Sequence, residues 1–313
     1  MGKANINNTA YEERLGTDRM LPLVLRMAMP SVAAQIVNLL YNLVDRIYIG
    51  HIPGIGTDAL AGIGVTGAII ILISAFSAIV SGGGAPLAAI ALGQGDRKRA
   101  GQTLGNGFVL LLIFTLLTTT LTYLFMEPLL MFTGASENTV GYAKDYLSIY
   151  LLGTLFVETS VGLNTFINTQ GRPAIAMYSV LIGAVLNIIL DPIFIFVMGM
   201  GVRGAALATV ISQACSALWI VSFLTSKRAS LRLEFRYMRP DINVISHILA
   251  LGVSPFIMAS TESLVGFVLN SSLEKFSDIN VSALAIMQSA MLVVSVPLAG
   301  FAQGFVPIVS YNY

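Results

Sequence analysis

Four carboxylic acids lie inside long apolar stretches of the sequence: Asp45, Glu158, Asp191 and Glu262. Placing one aspartate at the centre of a membrane span costs about 2.5–3.5 kcal/mol, which offsets the contribution of several leucines. A carboxylic acid that is present in a span despite this cost is therefore a candidate functional residue. Where water is scarce, a carboxyl group binds a proton, a sodium ion or the positive charge of an organic molecule. These acids therefore predict a site that takes up and releases a small positive charge.

Polar residues extend from the first of these acids back along the same helix. They follow one another at steps of three, four and three residues: Gln35, Asn38, Asn42 and Asp45. This spacing places them on one face of a helix, which turns toward a bundle or toward water rather than lipid. The alternative is a local ion pair between Asp45 and Arg46 at the membrane edge. The continuation of the stripe to Gln35 argues against it.

A second polar pair has helical spacing. Asn187 and Asp191 are four residues apart, so their side chains share a helix face and are able to meet one ligand or proton. Neighbouring apolar stretches carry further polar residues: Asn164, Asn168, Thr209, Ser212, Gln213, Ser216 and Gln288. The hydroxyl groups among them are expected to pack helices together. For Glu158 a structural pairing with a cation stays equally open, and Glu262 is either structural or faces a cavity.

The composition excludes most classes of soluble protein. Of 313 residues, 56% are hydrophobic and 11% are charged, against about 25% charged residues in soluble domains. The mean hydropathy is +0.81. A formal net charge of +1 provides no field that would attract nucleic acid, so no nucleic-acid partner is expected. One cysteine, Cys215, leaves no internal disulfide framework. The chain is predicted to be an all-α membrane protein.

The elements that hold these residues are about eight membrane-spanning helices. A span needs about 20 mostly apolar residues, and eight stretches qualify: 27–49, 61–92, 104–126, 147–168, 174–198, 205–225, 247–271 and 282–308. Long apolar runs favour helices over barrel strands, which would alternate over short segments. The polar residues 1–20 lack the apolar core of a cleavable signal peptide.

Basic residues are concentrated on one side of the predicted membrane topology. Thirteen lie in the segments on the side of the N-terminus: Lys3, Arg14, Arg19, Arg26, Arg97, Lys98, Arg99, Arg172, Lys227, Arg228, Arg232, Arg236 and Arg239. Arg203 and Lys275 are the two in the opposite loops, and Arg46 and Lys144 lie near span ends. This bias predicts a cytoplasmic N-terminus and an even number of spans.

Weak internal matches indicate a repeat. Pro30 matches Pro255, the string Ala59-Leu60-Ala61 matches Ala283-Leu284-Ala285, and Gly83-x-x-Pro86 matches Gly304-x-x-Pro307, all in the same order. Transporters are often built from such repeats, with the binding site between them. The repeat predicts an N-terminal segment (1–20), a six-helix N-lobe (21–225), a cytoplasmic loop (226–246) and two helices of an incomplete C-lobe (247–313).

Three strings resemble the multidrug and toxic compound extrusion (MATE) family. They are PSVAAQIVNLLYNLVDRIYIG in the first span, NIILDPIF in the fifth and GFAQGFVPIVSYNY in the eighth. The resemblance covers the chain from about Leu21 to Tyr313. It implies twelve helices in two six-helix lobes, so this chain would hold the N-lobe and two helices of the C-lobe. Helices absent from the chain would then be required for transport.

The resemblance also implies an activity and the residues that carry it. Members are antiporters that export organic cations and other amphipathic compounds from membranes such as the bacterial inner membrane, in exchange for protons or sodium. By motif, the cation-coupling residues would be Asp45, Asn187, Asp191 and Thr209. Residues of a substrate cavity would be Asn38, Tyr146, Asn164, Glu158 and Glu262. A sodium ion would bind at Asp45 and Asp191, and no other cofactor is expected.

A mechanism follows from these implied roles. Loading a cation at the acids would change the packing of the first helix, with Pro30 as its hinge, and the lobes would rock to alternate access.

Three other functions stay open at this point. A lipid-linked oligosaccharide flippase of the same superfamily would need a cationic groove, and Arg46 and Lys144 are the basic residues nearest the interior of the spans. A receptor or structural membrane protein would show no protonation change that depends on cations. A membrane enzyme ranks last, because His51 and His247 are placed at opposite membrane edges.

Overall fold

The computed structural model describes residues 11–274 and 278–313, with part of the side chains between 263 and 293. Eight long helices follow one another in these residues: α1 (Met20–Gly50), α2 (Gly56–Gly93), α3 (Arg97–Leu124), α4 (Val140–Thr169), α5 (Pro173–Val197), α6 (Val202–Thr225), α7 (Ile242–Glu274) and α8 (Asp278–Asn312). Short helices cover Met126–Phe132, Phe235–Tyr237 and residues 11–17. Lys3, Lys275 and the side chain of Gln288 lie outside the described part.

All eight helices are long and apolar enough to cross a membrane. The prediction of an all-α polytopic bundle with about eight spans is therefore confirmed. Several helices extend beyond the apolar stretches, because a helix continues through polar residues that hydropathy ignores. Thus α3 begins at Arg97, where the side chain of Asp96 accepts a hydrogen bond from the backbone N–H of Arg99 at 2.9 Å. Gly95, with a φ of +76°, makes the turn from α2.

A π-helical segment, Val80–Gly84, interrupts α2 at its three consecutive glycines. A Cβ atom on Gly82 would lie 2.6 Å from Cγ of Pro255, and one on Gly84 would lie 2.9 Å from Cζ of Phe166. These distances are too short for any side chain larger than hydrogen. The segment VSGGG is therefore both an irregularity in the helix and a surface for close packing.

The last two helices, α7 and α8, pack on α2 and α1 through glycines. A Cβ atom on Gly304 of α8 would lie 2.5 Å from the Cα atom of Ala28 in α1. A Cβ atom on Gly252 of α7 would lie 2.7 Å from the Cα atom of Ile79 in α2, and the neighbouring Ile248 is fully buried. Backbone meets backbone at both contacts, as is typical of membrane helices that pack through small residues.

These contacts are concentrated in one half of the bundle. Elsewhere along α7 and α8, large apolar side chains are exposed, among them Met258, Leu264, Met291, Val294 and Leu298. The close contacts lie toward the start of α7 and the end of α8, the side on which most basic residues occur. The two helices therefore pack closely on α1 and α2 near one membrane surface. Toward the other surface they expose large apolar side chains.

Residues 11–17 bridge several helix ends on the basic side. Glu12 is 2% exposed, and its Oε2 accepts a hydrogen bond from Nη2 of Arg97 at 2.7 Å. Leu15 is also buried, and its carbonyl oxygen accepts a hydrogen bond from Nδ2 of Asn312 at 2.8 Å. This segment thus connects the end of α8 with the start of α3.

The glycine contact between α1 and α8 predicts a steric effect on stability. We expect Gly304→Ala to lower the melting temperature, because the added methyl group overpacks a backbone contact at a cost of about 1–3 kcal/mol. Gly67→Ala is the matched control, since a Cβ atom there would meet nothing within 4 Å. Thermal denaturation in one detergent measures both variants. Equal melting temperatures would contradict the close approach.

The burial of Glu12 predicts that docking of residues 11–17 depends on pH. Desolvation raises the pKa of the Glu12 carboxyl, against hydrogen bonds from Ser230 and Arg97. Because this pKa is higher in the docked state than in the free state, docking is strongest in acid and weakens as the pH rises through the raised value. We expect a spin label at Thr17→Cys to become more mobile as the pH is raised from acid to alkaline. Cys215→Ser is added so that the label reacts only at residue 17.

Glu12→Gln should remove this pH dependence, since no charge has to be buried. Glu13→Gln, at an exposed neighbouring position, should retain it. A label in the unaltered segment whose mobility is constant with pH would contradict the prediction.

Candidate functional site

A cavity of about 310 Å³ lies among α1, α2, α4, α5 and α6, with Gln303 of α8 at its edge. Its polar walls include side chains of α1, α4 and α6: Gln35, Asn38, Tyr41, Asn164, Asn168 and Gln213. Asn42 does not line this cavity; its side chain is exposed and donates a hydrogen bond to the carbonyl oxygen of Asn38 at 2.7 Å. The lining contains no charged side chain among the described residues.

The two predicted acids of α1 and α5 meet in the interior, beyond the cavity. The carboxyl groups of Asp45 and Asp191 lie close enough to each other to interact directly. Two carboxylates make such a contact only when one carries a proton or when a cation lies between them. Nδ2 of Asn187 donates to Oδ1 of Asp191 at 3.2 Å and lies 3.5 Å from Oγ1 of Thr209. The side chains of Thr209 and Tyr146 also lie close to each other.

Several oxygen atoms of this cluster have no donor. Oδ1 of Asp45, Oδ2 of Asp191 and Oδ1 of Asn187 are buried without a hydrogen-bond partner. Buried acceptors of this kind are costly unless a proton or a cation satisfies them. Carboxylate and amide oxygens suit a hard cation, so the same atoms fit either a proton or a sodium ion. We call Asp45, Asn187, Asp191, Thr209 and Tyr146 the acid-pair cluster.

Tyr41 lies between the acid-pair cluster and the cavity. Tyr41 lines the cavity, while its hydroxyl group lies close to Gln213, Asn42 and Asp45. The sequence prediction did not include this residue. A signal was present, because Tyr41 precedes Asp45 by four residues and therefore shares the polar face of α1.

Glu158 is 2% exposed on α4 and lies apart from the acid-pair cluster. Its carboxyl group accepts hydrogen bonds from Ser74 and Ser77 of α2. Among the described residues it forms no ion pair, so the structural pairing with a cation is not observed there. Asn164, which does line the cavity, donates from Nδ2 to Oγ of Ser179 at 3.2 Å.

Two other predicted residues lie away from these contacts. The side chain of Glu262 is exposed on α7 and does not line the cavity. Pro30 lies within α1, which continues as one helix through it, and Ser31 beside it lines the cavity. Asp45 forms no ion pair with Arg46 in the described part of the chain. The roles given to Glu262 and Pro30 stay predictions.

The contact between Asp45 and Asp191 predicts a stability that depends on pH. Raising the pH removes the shared proton and leaves two facing charges, so the melting temperature should fall. Asp191→Asn supplies a donor in place of one acid and should be more stable than the unaltered chain at alkaline pH, by about 1–3 kcal/mol.

Thermal denaturation over a pH series measures this difference. Asp58→Asn, at an exposed position in the first turn of α2, should follow the unaltered chain. Parallel pH profiles for Asp191→Asn and Asp58→Asn would contradict the contact.

Comparison with known proteins reveals clear similarity. The MatE family matches residues 30–193, which is more than half of the chain. "Multidrug export protein MepA" of Staphylococcus haemolyticus (strain JCSC1435) is 26% identical over 290 residues, 93% of this chain and 64% of the relative. This chain thus spans less than two thirds of that relative.

Solved structures agree in fold over nearly the whole chain. "Crystal structure of MATE in complex with MaD3S" superposes with a TM-score of 0.84 at 26% identity, covering 91% of this chain and 64% of the other. "Outward-facing conformation of a multidrug resistance MATE family transporter of the MOP superfamily" gives a TM-score of 0.82 at 26% identity, covering 91% and 63%. The chain belongs to the MatE family, the multidrug and toxic compound extrusion transporters.

Proposed function

We propose that this chain takes part in the export of organic cations and related amphipathic compounds, in exchange for protons or sodium. In this proposal the acid-pair cluster binds the coupling ion and the cavity binds the exported compound. The relatives named as multidrug export proteins support the substrate class. The proposed location is the bacterial inner membrane with the basic side in the cytoplasm, in accordance with the distribution of Lys and Arg.

The contact between Asp45 and Asp191 carries this proposal. Two acids side by side in an apolar interior need one positive charge between them, and a proton or a sodium ion supplies it. An organic cation near the cluster would supply the positive charge in place of the proton or sodium ion. Exchange of one positive charge for another therefore follows from electrostatics at this site.

The cavity suits a cation with apolar substituents. Its described lining is uncharged and includes the rings of Tyr41 and Tyr150, whose faces attract positive charge. A volume of about 310 Å³ is at the small end of the range for ligand pockets. A flippase for a pyrophosphate lipid would need basic groups there, and the described lining has none.

Alternating access would use the uneven packing of α7 and α8. These helices are held through glycines near the basic side and turn exposed apolar groups toward the opposite side. Loading the acid-pair cluster acts on α1, which carries Asp45 at one end and contacts Gly304 of α8 through Ala28 at the other. A change in α1, with Pro30 as the proposed hinge, would therefore reach α8. We propose that transport also requires helices equivalent to the unmatched third of the relatives.

Binding of a lipophilic organic cation tests the proposed coupling. With the chain in nanodiscs, tetraphenylphosphonium should bind several-fold more tightly at alkaline than at acid pH, because protons compete for the acid pair. Added sodium should weaken binding at alkaline pH if sodium is the coupling ion. Asp191→Asn should lose both dependences, and Asp58→Asn should keep them.

An unchanged pH and sodium response in Asp191→Asn would contradict the role of the acid pair. In proteoliposomes, proton and sodium gradients imposed separately then distinguish the two coupling ions.

A further inference from the structure

Glu158 is a buried acid with two hydroxyl donors and, among the described residues, no cationic partner. Oε1 lies 3.2 Å from Oγ of Ser74, and Oε2 accepts a hydrogen bond from Oγ of Ser77. The serines are three residues apart on α2, so both present their hydroxyl groups on the same helix face toward α4. The carboxyl group is 2% exposed. Both of its oxygens are therefore satisfied by α2.

The surroundings of Glu158 supply no positive charge. Its electrostatic neighbours in the described residues are Ser74 and Ser77 from α2 and the hydroxyl group of Tyr150 on α4. No charged side chain from α3, α5 or α6 faces it in this part of the chain. A buried carboxylate without a cation is strongly destabilised, and two neutral hydroxyl groups do not offset the loss of water. The stable form of Glu158 is the neutral acid, with its own proton.

That proton has a short path to the cavity. Ser74, Tyr150 and Val157 all line the cavity and are adjacent to Glu158 in the structure or the chain. Ser74 donates a hydrogen bond to the carboxyl group of Glu158 and also lines the cavity, whereas Ser77 is not among the lining residues. Ser74 therefore connects Glu158 with the cavity. Glu158 is thus buried, and a single side chain, that of Ser74, separates it from the cavity.

Glu158 is separate from the acid-pair cluster. Tyr146 contacts Thr209 in that cluster, and Tyr150 lies beside Glu158. The two rings are stacked, with centroids 6.2 Å apart. The cavity therefore has one acidic site behind Tyr41 and another behind Ser74 and Tyr150. Each has its own helices, α1 with α5 for the first and α2 with α4 for the second.

We propose that Glu158 is a second proton-binding site, which releases its proton into the cavity when an organic cation binds against Ser74 and Tyr150. The proton passes from the carboxyl group to water in the cavity, and the carboxylate left behind balances the charge of the bound cation. The ligand is an organic cation with apolar substituents, such as a quaternary ammonium or phosphonium ion. The cation step rests on the proposed function, whereas the resident proton does not.

Proton release on ligand binding tests the proposal. The unaltered chain in weakly buffered nanodiscs is titrated with tetraphenylphosphonium, and the protons released per bound cation are counted. Glu158→Gln should release fewer protons than the unaltered chain. Glu137→Gln, at an exposed position, is the matched control and should release the same number. The double variant Asp45→Asn with Asp191→Asn should still release protons, because Glu158 remains.

An infrared measurement tests the resident proton without any ligand. The carbonyl absorption of a protonated carboxyl group should be present at neutral pH in the double variant and lose intensity on adding Glu158→Gln to it. Ser77→Ala provides a second variant that keeps the acid, and it should shift this absorption because one hydrogen bond is lost.

The outcomes separate the two proposals. Equal proton release by Glu158→Gln and Glu137→Gln, or an infrared absorption that Glu158→Gln leaves undiminished, overturns the second proton site. Failure of the proposed function alone would appear as an unchanged response in Asp191→Asn, with the infrared absorption of Glu158 still present.

Discussion

Two carboxyl groups that face each other inside an apolar bundle set the main constraint on this protein. Asp45 and Asp191 come from different helices, and their outer oxygens lack donors. Arg46 acts on Asp45 electrostatically, but no described side chain forms an ion pair with either acid, so the free energy of this arrangement depends on a further positive charge. Such a site is stable only while it is loaded with a proton or a cation, so its occupancy is coupled to the packing of α1 against α5.

Glycines determine where the helices of the bundle approach each other most closely. Gly304 and Gly252 let α8 and α7 approach the backbones of α1 and α2 near one membrane surface, and residues 11–17 connect the end of α8 with α3 on the same side. Toward the other surface, α7 and α8 expose large apolar groups. In the described part of the chain, the close backbone contacts of α7 and α8 with α1 and α2 therefore lie toward the start of α7 and the end of α8.

The cavity is joined to its acids through hydroxyl groups rather than directly. Tyr41 separates the cavity from Asp45, and Ser74 separates it from Glu158. A cavity with neutral walls and acids one layer behind attracts cations without presenting a bare carboxylate to water. This arrangement keeps the cost of burying charge low when the cavity is empty.

Hydropathy and helical periodicity alone determined the eight helices and the polar faces of α1 and α5, because an apolar run of span length forms a helix and a spacing of three or four residues selects one face. The sequence also singled out Asp45, Asn187 and Asp191 as chemically active. It did not reveal that Tyr41 stands before the acids, or that Glu158 pairs with Ser74 and Ser77 instead of a cation. Those contacts are between helices that are far apart in the chain. The spacing of residues within one helix does not predict which other helix packs against it. Only the tertiary structure decided them, through the close packing of α1, α2, α4 and α5.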